Sequence, residues 1–337
     1  MTAVSSPATE GSTLRRLAPR LLALQTRYPL AQLVALAAIF GYGLQSIDGY
    51  GTKSSIYSML VLAALLGTAG AGQTLAVLVG GIDLSISAWI VAGATTTVEL
   101  TGIYHWPAIS VFLLIGGGAL VVGAIVGFVC SSFEIDPLIV TLASGAIVAG
   151  TIQGWVKGLV NGLPPDWLRH LASPAGKTLG VSFPPLVAIW ALIALAIAIF
   201  LRRTVAGRRL YATGSNRQAA ELALVRTRRV WMGTFAASAF LAALTGVFLA
   251  GFAGAADNTI GDPYLWQSLT AVIVGGTVFG ARGDYWRTVL GSLLLIQLSS
   301  VLIGHGATTA DQQILFGVLI LLVVAFYART RRLGERV

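Results

Sequence analysis

The chain of 337 residues is 56% hydrophobic and only 10% charged, with a mean hydropathy of +0.82, whereas soluble domains carry roughly a quarter charged residues. This composition excludes an ordinary soluble enzyme or binding module and indicates a polytopic membrane protein. The net charge of +9 raises nucleic-acid binding, a reading that the placement of the basic residues removes.

In chain order, residues 1–29 read as a polar, Arg-dotted cytoplasmic tail without the early apolar core of a cleavable signal. Residues 30–328 form the transmembrane domain and 329–337 a second cytoplasmic tail. The uncharged stretches 106–133, 182–201 and 288–310 each reach the roughly 20 residues needed to cross a bilayer. Helices are required, because lipid satisfies no backbone groups and barrel strands would alternate polarity every second residue. The predicted fold is all-α, a polytopic membrane protein of about ten helices with broken or re-entrant segments. The predicted spans are 30–47, 56–79, 84–104, 108–130, 138–156, 185–201, 230–254, 265–279, 285–303 and 312–327. With the N-terminus inside, all but Lys53, Lys157, Arg169 and Lys177 of the 22 Lys and Arg fall on the cytoplasmic side. That positive-inside bias fixes the orientation and accounts for the charge without nucleic acid.

Gly80-Gly81-Ile82-Asp83-Leu84-Ser85 sets a carboxylate and two glycines against an apolar run. An Asp at the centre of a membrane helix costs roughly 2.5–3.5 kcal/mol, so it is a functional candidate by default. The competing reading places Asp83 as the N-cap of the next helix, accepting hydrogen bonds from its first-turn amides. A second Gly-rich break, Val274-Gly275-Gly276-Thr277, ends a span short for a full crossing; paired breaks of this kind mark substrate regions in transporters. The match of Leu78-Val79-Gly80-Gly81 to Ile273-Val274-Gly275-Gly276 hints at an internal repeat. Gly123 and Gly127 form a GxxxG pattern, read as close helix packing.

Two polar connections interrupt the spans. Residues 158–184, rich in Gly and Pro and associated with Trp155 and Trp167, are placed outside. Residues 202–229, with eight arginines and the single acid Glu221, are placed inside. A short helix capped by Ser215 or Asn216 is expected there; the alternative is a solvated basic loop that serves topology only.

Ala175-Gly176-Lys177-Thr178 resembles the end of a phosphate-binding loop, but Leu171 occupies the required first glycine position. No His/Cys/Asp cluster has metal-ligand spacing, and His105, His170 and His305 read as interfacial. There is no GxSxG elbow or HExxH pair. The lone Cys130 reads as packing. No cofactor or metal is called for, and catalytic residues are expected to be absent.

Three motifs in order, Gly80-Gly81-Ile82-Asp83-Leu84-Ser85, then Gly214-Ser215-Asn216 with Ala219-Ala220, then Ala271-Val272-Ile273-Val274-Gly275-Gly276-Thr277 with Arg282-Gly283, resemble the membrane permease of ribose-type ABC sugar importers. The resemblance covers residues 30–330. It implies the ABC importer permease fold in the inner membrane of a bacterium, multi-pass with a cytoplasmic N-terminus. The implied partners are a second permease subunit, identical or sister, two ATP-binding cassette ATPase subunits, a periplasmic sugar-binding protein and membrane lipid. ATP hydrolysis belongs to the ATPase subunits, so the chain itself is not an enzyme. Residues 216–225 are implied as the coupling helix, with Asn216, Arg217, Ala219, Ala220, Glu221 and Leu222 contacting the ATPase. The chain departs from the common pattern at Leu224, where many relatives have glycine, and at Arg217 and Gln218, which replace a frequent acidic pair.

On this reading the path carries a monosaccharide and is switched by ATP binding and hydrolysis in the partner subunits. Gly80, Gly81, Asp83, Ser85, Gly275 and Gly276 form its structural motif, and Thr68, Gln73, Thr74, Thr141 and Ser144 are candidates for its lining, each with the alternative of bonding to its own or a neighbouring helix. The rival reading is an ion-coupled secondary transporter using Asp83, Glu99 or Glu134 as a titrating carboxylate. The positions of these acids near predicted helix ends, and the unexplained basic segment, weigh against it.

Overall fold

The computed structural model describes residues 29–156, 160, 162–277, 280 and 283–334. The expected N-terminal tail, Lys157, Arg282 and the 278–279 end of one predicted span lie outside the described residues, as does the tip of the C-terminal tail. The described residues form thirteen α-helices: α1 (Leu30–Ser46), α2 (Lys53–Val79), α3 (Ile86–Val98), α4 (Ala108–Phe133), α5 (Pro137–Val156), α6 (Asp166–Ala172), α7 (Pro185–Arg203), α8 (Val205–Ser215), α9 (Arg217–Leu222), α10 (Thr227–Ala253), α11 (Asp262–Gly275), α12 (Tyr285–Gly304) and α13 (Thr309–Gly334).

Each predicted span corresponds to one of these helices, and seven are long and apolar enough to cross a membrane. Three departures have local causes. The span read as 84–104 begins at Ile86 and ends in a π-helical turn, Glu99–Ile103, closed by Tyr104 N–H donating to Glu99 O at 3.2 Å. The span read as 265–279 begins at Asp262 and stops at Gly275, so α11 is about 21 Å long, two-thirds of a hydrocarbon core. Residues 205–215, read as loop, form α8. Thr204 caps it by accepting from Gly207 N–H at 3.0 Å, while Leu210 and Thr213 give it a buried side.

At the centre lies α2, buried nearly throughout its second half and flanked by α10, α12, α11 and α7. Its glycines admit three different neighbours: a Cβ at Gly67 would strike Trp190 of α7, one at Gly70 would come within 2.9 Å of Thr288 of α12, and one at Gly72 within 2.9 Å of Ser238 of α10. The GxxxG pair has the same use, since Cβ atoms at Gly123 and Gly127 would overlap the carbonyls of Phe235 and Trp231, letting α4 lie directly on α10. Tyr285, fully buried, ties three helices: it accepts from Trp190 Nε1 at 2.9 Å and donates to Gly67 O at 2.7 Å. The outer sides of α4, α5 and α7 present Leu113, Val121, Ile139, Leu142 and Leu192, as a surface facing hydrocarbon would.

The helix ends gather on two faces. One holds the α1–α2 turn, α6, residues 173–184 and the α12–α13 turn, with Tyr57 donating to Ser182 O and Tyr42 stacked on His305. The opposite, Arg-rich face holds α8, α9 and residues 280, 283 and 284, with Tyr211 donating to Gly283 O and Arg202 paired to Asp284.

Candidate functional site

Both glycine breaks close in the same backbone geometry. Gly80 ends α2 at φ +96, and the next N–H, that of Gly81, donates back to Ala76 O at 2.9 Å. Gly276 ends α11 at φ +95, and Thr277 N–H donates back to Val272 O at 3.1 Å. This is the Schellman closure, which favours glycine because an L side chain is strained in the left-handed region. The structural equivalents are therefore Gly80 and Gly276, so the four-residue match seen in the sequence is one residue out of register. The breaks also meet in space. Gly280 N–H donates to Val77 O at 3.3 Å, and Ile82 packs against Val77, Leu269, Val272 and Ile273.

Asp83 is 2% exposed. Its Oδ1 accepts from Ser85 N–H at 2.9 Å and from Ser85 Oγ at 2.6 Å. Ser85, rather than Asp83, is the N-cap of α3, and it makes no side-chain cap bond. The expectation that Asp83 caps the first-turn amides is corrected accordingly: the carboxylate closes a turn one step earlier, and the serine hydroxyl that could have capped α3 is directed to it. The turn is seated on α5 and α10. Leu84 N–H donates to Thr141 Oγ1 at 3.0 Å, and a Cβ at Gly81 would come within 3.1 Å of Pro137 and 3.2 Å of Phe235. Gly145 lies against Ser85, which brings Ser144 to the same region.

The remaining candidates for the path lie in packed interior. Thr68 donates to Ala64 O at 2.7 Å, and Thr74 to Gly70 O at 2.6 Å while meeting Thr288 Oγ1 at 2.7 Å. Thr141 donates to Pro137 O at 2.7 Å and Ser144 to Thr141 O at 3.3 Å. Gln73 is buried with its Oε1 unpartnered. Glu99 and Glu134 sit at helix ends, in the π turn and at the left-handed end of α4. Among the described residues no three His, Cys, Asp or Glu cluster as a metal site.

On the Arg-rich face, Asn216 is the cap of α9, accepting from Ala219 N–H at 3.0 Å. Arg217 divides its guanidinium: Nε donates to Glu221 Oε1 at 3.1 Å and Nη2 to Ser131 O, in the last turn of α4, at 2.7 Å. Glu221 also accepts from Thr227 Oγ1 at 2.6 Å, and this hydroxyl, with Arg217, holds its carboxyl below the usual glutamate range. Ala220 is buried, whereas Leu222 projects into solvent. From α8, Tyr211 reaches Gly283 O at 2.9 Å and a Cβ at Gly280 would lie 3.1 Å from Gly214 O. Burial and the neighbouring Asp284 push the Tyr211 phenol up to about 12. The helices under the bundle are thus joined to the segment that follows the second break.

Sequence reasoning missed Gln32. This residue of α1 is buried, and its Nε2 donates to Val274 O at 3.1 Å and Gly275 O at 3.2 Å, covering the carbonyl end of α11. Its only trace in the sequence is an amide near the start of a mostly apolar span, a signal shared with Gln45 near its end. Tyr211 and Asp284 left no signal, since each acts through a main-chain or charge partner more than seventy residues away.

Comparison with known proteins gives this arrangement a family. The model of the family described as "Branched-chain amino acid transport system / permease component" matches residues 55–324. The fructose import permease protein of Rhizobium meliloti is 30% identical over 87% of this chain and 83% of its own length. The D-allose transport system permease protein of Escherichia coli is 28% identical, and the ribose import permease protein of Haemophilus influenzae 27%, each over 87% of this chain and 88% of its own length. No solved structure matches the chain. The matched span takes in both glycine breaks and the helices beneath them, and the chain belongs to this family of transport-system permease components.

Proposed function

We propose that this chain is a permease subunit of a bacterial ATP-binding cassette importer that carries a monosaccharide. The observation that carries the reading is the linkage of α9 and α8 to Ser131 and to Gly280 and Gly283, among relatives named as fructose, ribose and allose permeases. Two ATPase subunits would dock on the Arg-rich face, which is then cytoplasmic, at Asn216, Arg217, Ala219, Ala220, Glu221 and Leu222. A second permease subunit, identical or sister, completes the path within the inner membrane, and a periplasmic sugar-binding protein loads it from the opposite face. The N-terminus is cytoplasmic, and the net basic charge serves topology and not nucleic acid.

In this reading ATP and sugar act only through their different affinities for two states of the path. The Gly80–Ser85 and Gly275–Gly276 breaks are the moving element, because α2 and α11 end there in the same closure. Thr68, Gln73, Thr74, Thr141 and Ser144 would line the path once it opens; their bonds to helix carbonyls fit a closed state. Asp83 and Ser85 hold the turn. No step requires chemistry from the chain itself.

Reconstitution tests this directly. Proteoliposomes containing the permease, its ATPase and its binding protein should accumulate labelled ribose, fructose or allose on ATP addition, and should not do so when the ATPase is omitted. Uptake by the permease alone, driven by a proton or sodium gradient, would sink the proposal.

A further inference from the structure

Helix α11 starts inside the bundle. Its residue Ser268 lies beside Gly70 of α2, the serine carbonyl oxygen 4.0 Å from where a Gly70 Cβ would stand, and Leu269, Val272 and Ile273 pack on Val77. The two helices therefore run side by side toward the two breaks, and α11 begins about 17 Å of helical rise inward of Lys53, where α2 starts. The preceding loop agrees. Ala256 packs with Ala94, Val98 and Ala250, while a Cβ at Gly261 would strike Ser87 O and crowd Ile90 and Val91. From Ile90 to the end of the π turn at Ile103 is again about 20 Å. Residues 254–261 thus turn back into the bundle and set the first turn of α11 at the depth of the hydrocarbon.

That first turn carries a charge on an open side. Within α11 only Asp262 and Trp266 are exposed, Trp266 to 53%, whereas the turns below them are largely covered. The two stand four residues apart, so they share one helix face. Asp262 makes no side-chain cap bond to α11 and pairs with no Lys, Arg or His among the described residues. Asp257, its acidic neighbour in the loop, is taken up by the amide and hydroxyl of Thr259, both at 2.7 Å. The helix dipole favours an acid in the first turn, but by less than a bare charge costs in hydrocarbon. Lipid therefore cannot cover this face, and the carboxylate meets water or a polar ligand when the subunit is in the membrane.

We infer that Asp262 and Trp266 form a monosaccharide station on the wall of the path, the indole serving as a platform for the C–H face of the sugar ring and the carboxylate accepting from two adjacent hydroxyls. The inference rests on the importer reading and deepens it, because it puts the sugar on residues already open in this state, whereas Thr68, Gln73 and Thr74 are packed away. A sugar fits these groups because it supplies an apolar face and hydroxyl donors at once and carries no charge. An amino acid would bring its own carboxylate toward Asp262, and a protein partner would have to carry a cation to this depth.

Water access is the first measurement. Asp262→Cys is placed in a Cys130→Ser chain, since Cys130 is the single cysteine, and the transporter is assembled with its ATPase and binding protein. The new thiol should react with a membrane-impermeant maleimide within about tenfold of the rate of Leu179→Cys, a fully exposed position on the outer face. Sugar contact is the second, read as ATP-driven uptake of labelled ribose, fructose or allose at saturating binding protein. Trp266→Ala should cut the maximal rate about tenfold or more at an unchanged half-saturating concentration of binding protein, and Trp266→Phe should keep most of it. Asp262→Ala should fall likewise, with Asp262→Asn in between. An unreactive Asp262→Cys, whether the transporter is resting or cycling, would set this face against lipid or a second copy and overturn the inference. So would Trp266→Ala transporting at the wild-type rate. A wild-type transporter that takes up none of the three sugars fails the importer reading and takes this inference with it; either other result removes the station alone.

Discussion

Arg217 holds the carbonyl of Ser131 at 2.7 Å, tying α9 to the last turn of α4. A helix end carries carbonyls with no amide downstream, and a guanidinium there is favoured by both hydrogen bonding and the helix dipole. Hydrogen bonds to charged groups contribute about 1.5–3 kcal/mol. Because the same side chain also bonds Glu221, a displacement of α9 would, in the importer reading, be passed to α4 through Arg217. Arg217→Ala should lower sugar uptake per ATP hydrolysed several-fold in proteoliposomes while hydrolysis continues. Arg217→Lys should recover only part, because an ammonium cannot span both partners in the same geometry. Uptake and hydrolysis falling in equal proportion would show that Arg217 is not a link.

Glu221 makes this link sensitive to acid. Its folded carboxyl is held low, first by the Thr227 hydroxyl and then by Arg217. A lowered folded value means that the stabilisation is fully present above the unfolded glutamate value of about 4.3 and is lost as pH falls through the folded value. Thr227 and Glu221 should therefore couple at neutral pH and uncouple in acid. A double-mutant cycle of Glu221→Gln and Thr227→Val, read by thermal unfolding at pH 7 and again below the carboxylate range, should show a coupling energy that disappears at the lower pH.

Leu224 stands in left-handed backbone at φ +59, 90% exposed, just after α9, where a glycine would be unstrained. Left-handed backbone costs an L residue roughly 1–2 kcal/mol, while glycine loses about 0.5–1 kcal/mol through unfolded-state entropy. Leu224→Gly should accordingly stabilise the subunit by about 0.5–1 kcal/mol, measured as a higher melting temperature in detergent. A lower melting temperature would show that the exposed leucine makes a stabilising contact.

If Asp83 serves only as a hydrogen-bond acceptor for Ser85, its charge is dispensable. Oδ1 receives both Ser85 bonds, and an asparagine carbonyl can receive them equally. Asp83→Asn should retain most uptake at normal membrane expression, whereas Asp83→Leu should lose it by leaving the Ser85 amide and hydroxyl unmet. An asparagine variant as inactive as the leucine variant would show that the charge itself is required.

The ten helices read as spans were legible, seven of them long and apolar enough to cross a membrane, because hydrocarbon length and uncharged runs leave few alternatives, and the breaks because glycine pairs are conspicuous in apolar helices. Asn216 as the cap of α9 was readable from local spacing, as was the tight packing at Gly123 and Gly127. The register between the two breaks was not: likeness of four letters, three of them identical, aligned Gly80 with Gly275, while backbone closure pairs it with Gly276. The start of α11 at Asp262 did leave a signal, an acid followed by proline in the first turn, which the search for an unbroken apolar run from Leu265 passed over. Long-range main-chain acceptors such as Ser131 O, Gly283 O and Val274 O leave no mark on residue identity at all.

Gln32 follows from that last class and gives a test of whether α11 is anchored from α1. Its amide covers two carbonyls at the end of a helix that stops short of a full crossing. Replacing it by leucine keeps volume and hydrophobicity but leaves those acceptors buried and unmet, a cost of about 1–3 kcal/mol. Glutamate at the same place would set a carboxylate against the negative end of the helix dipole, which is worse. The expected order of melting temperature is therefore wild type, Gln32→Leu, Gln32→Glu. If the second break is a moving part, Gln32→Leu should also make the amides of residues 276, 277 and 280 exchange faster with deuterium, with those in α4 unchanged. Equal protection at the break in wild type and Gln32→Leu would mean that α12, through Arg287 O against Gly275, holds α11 without help from α1.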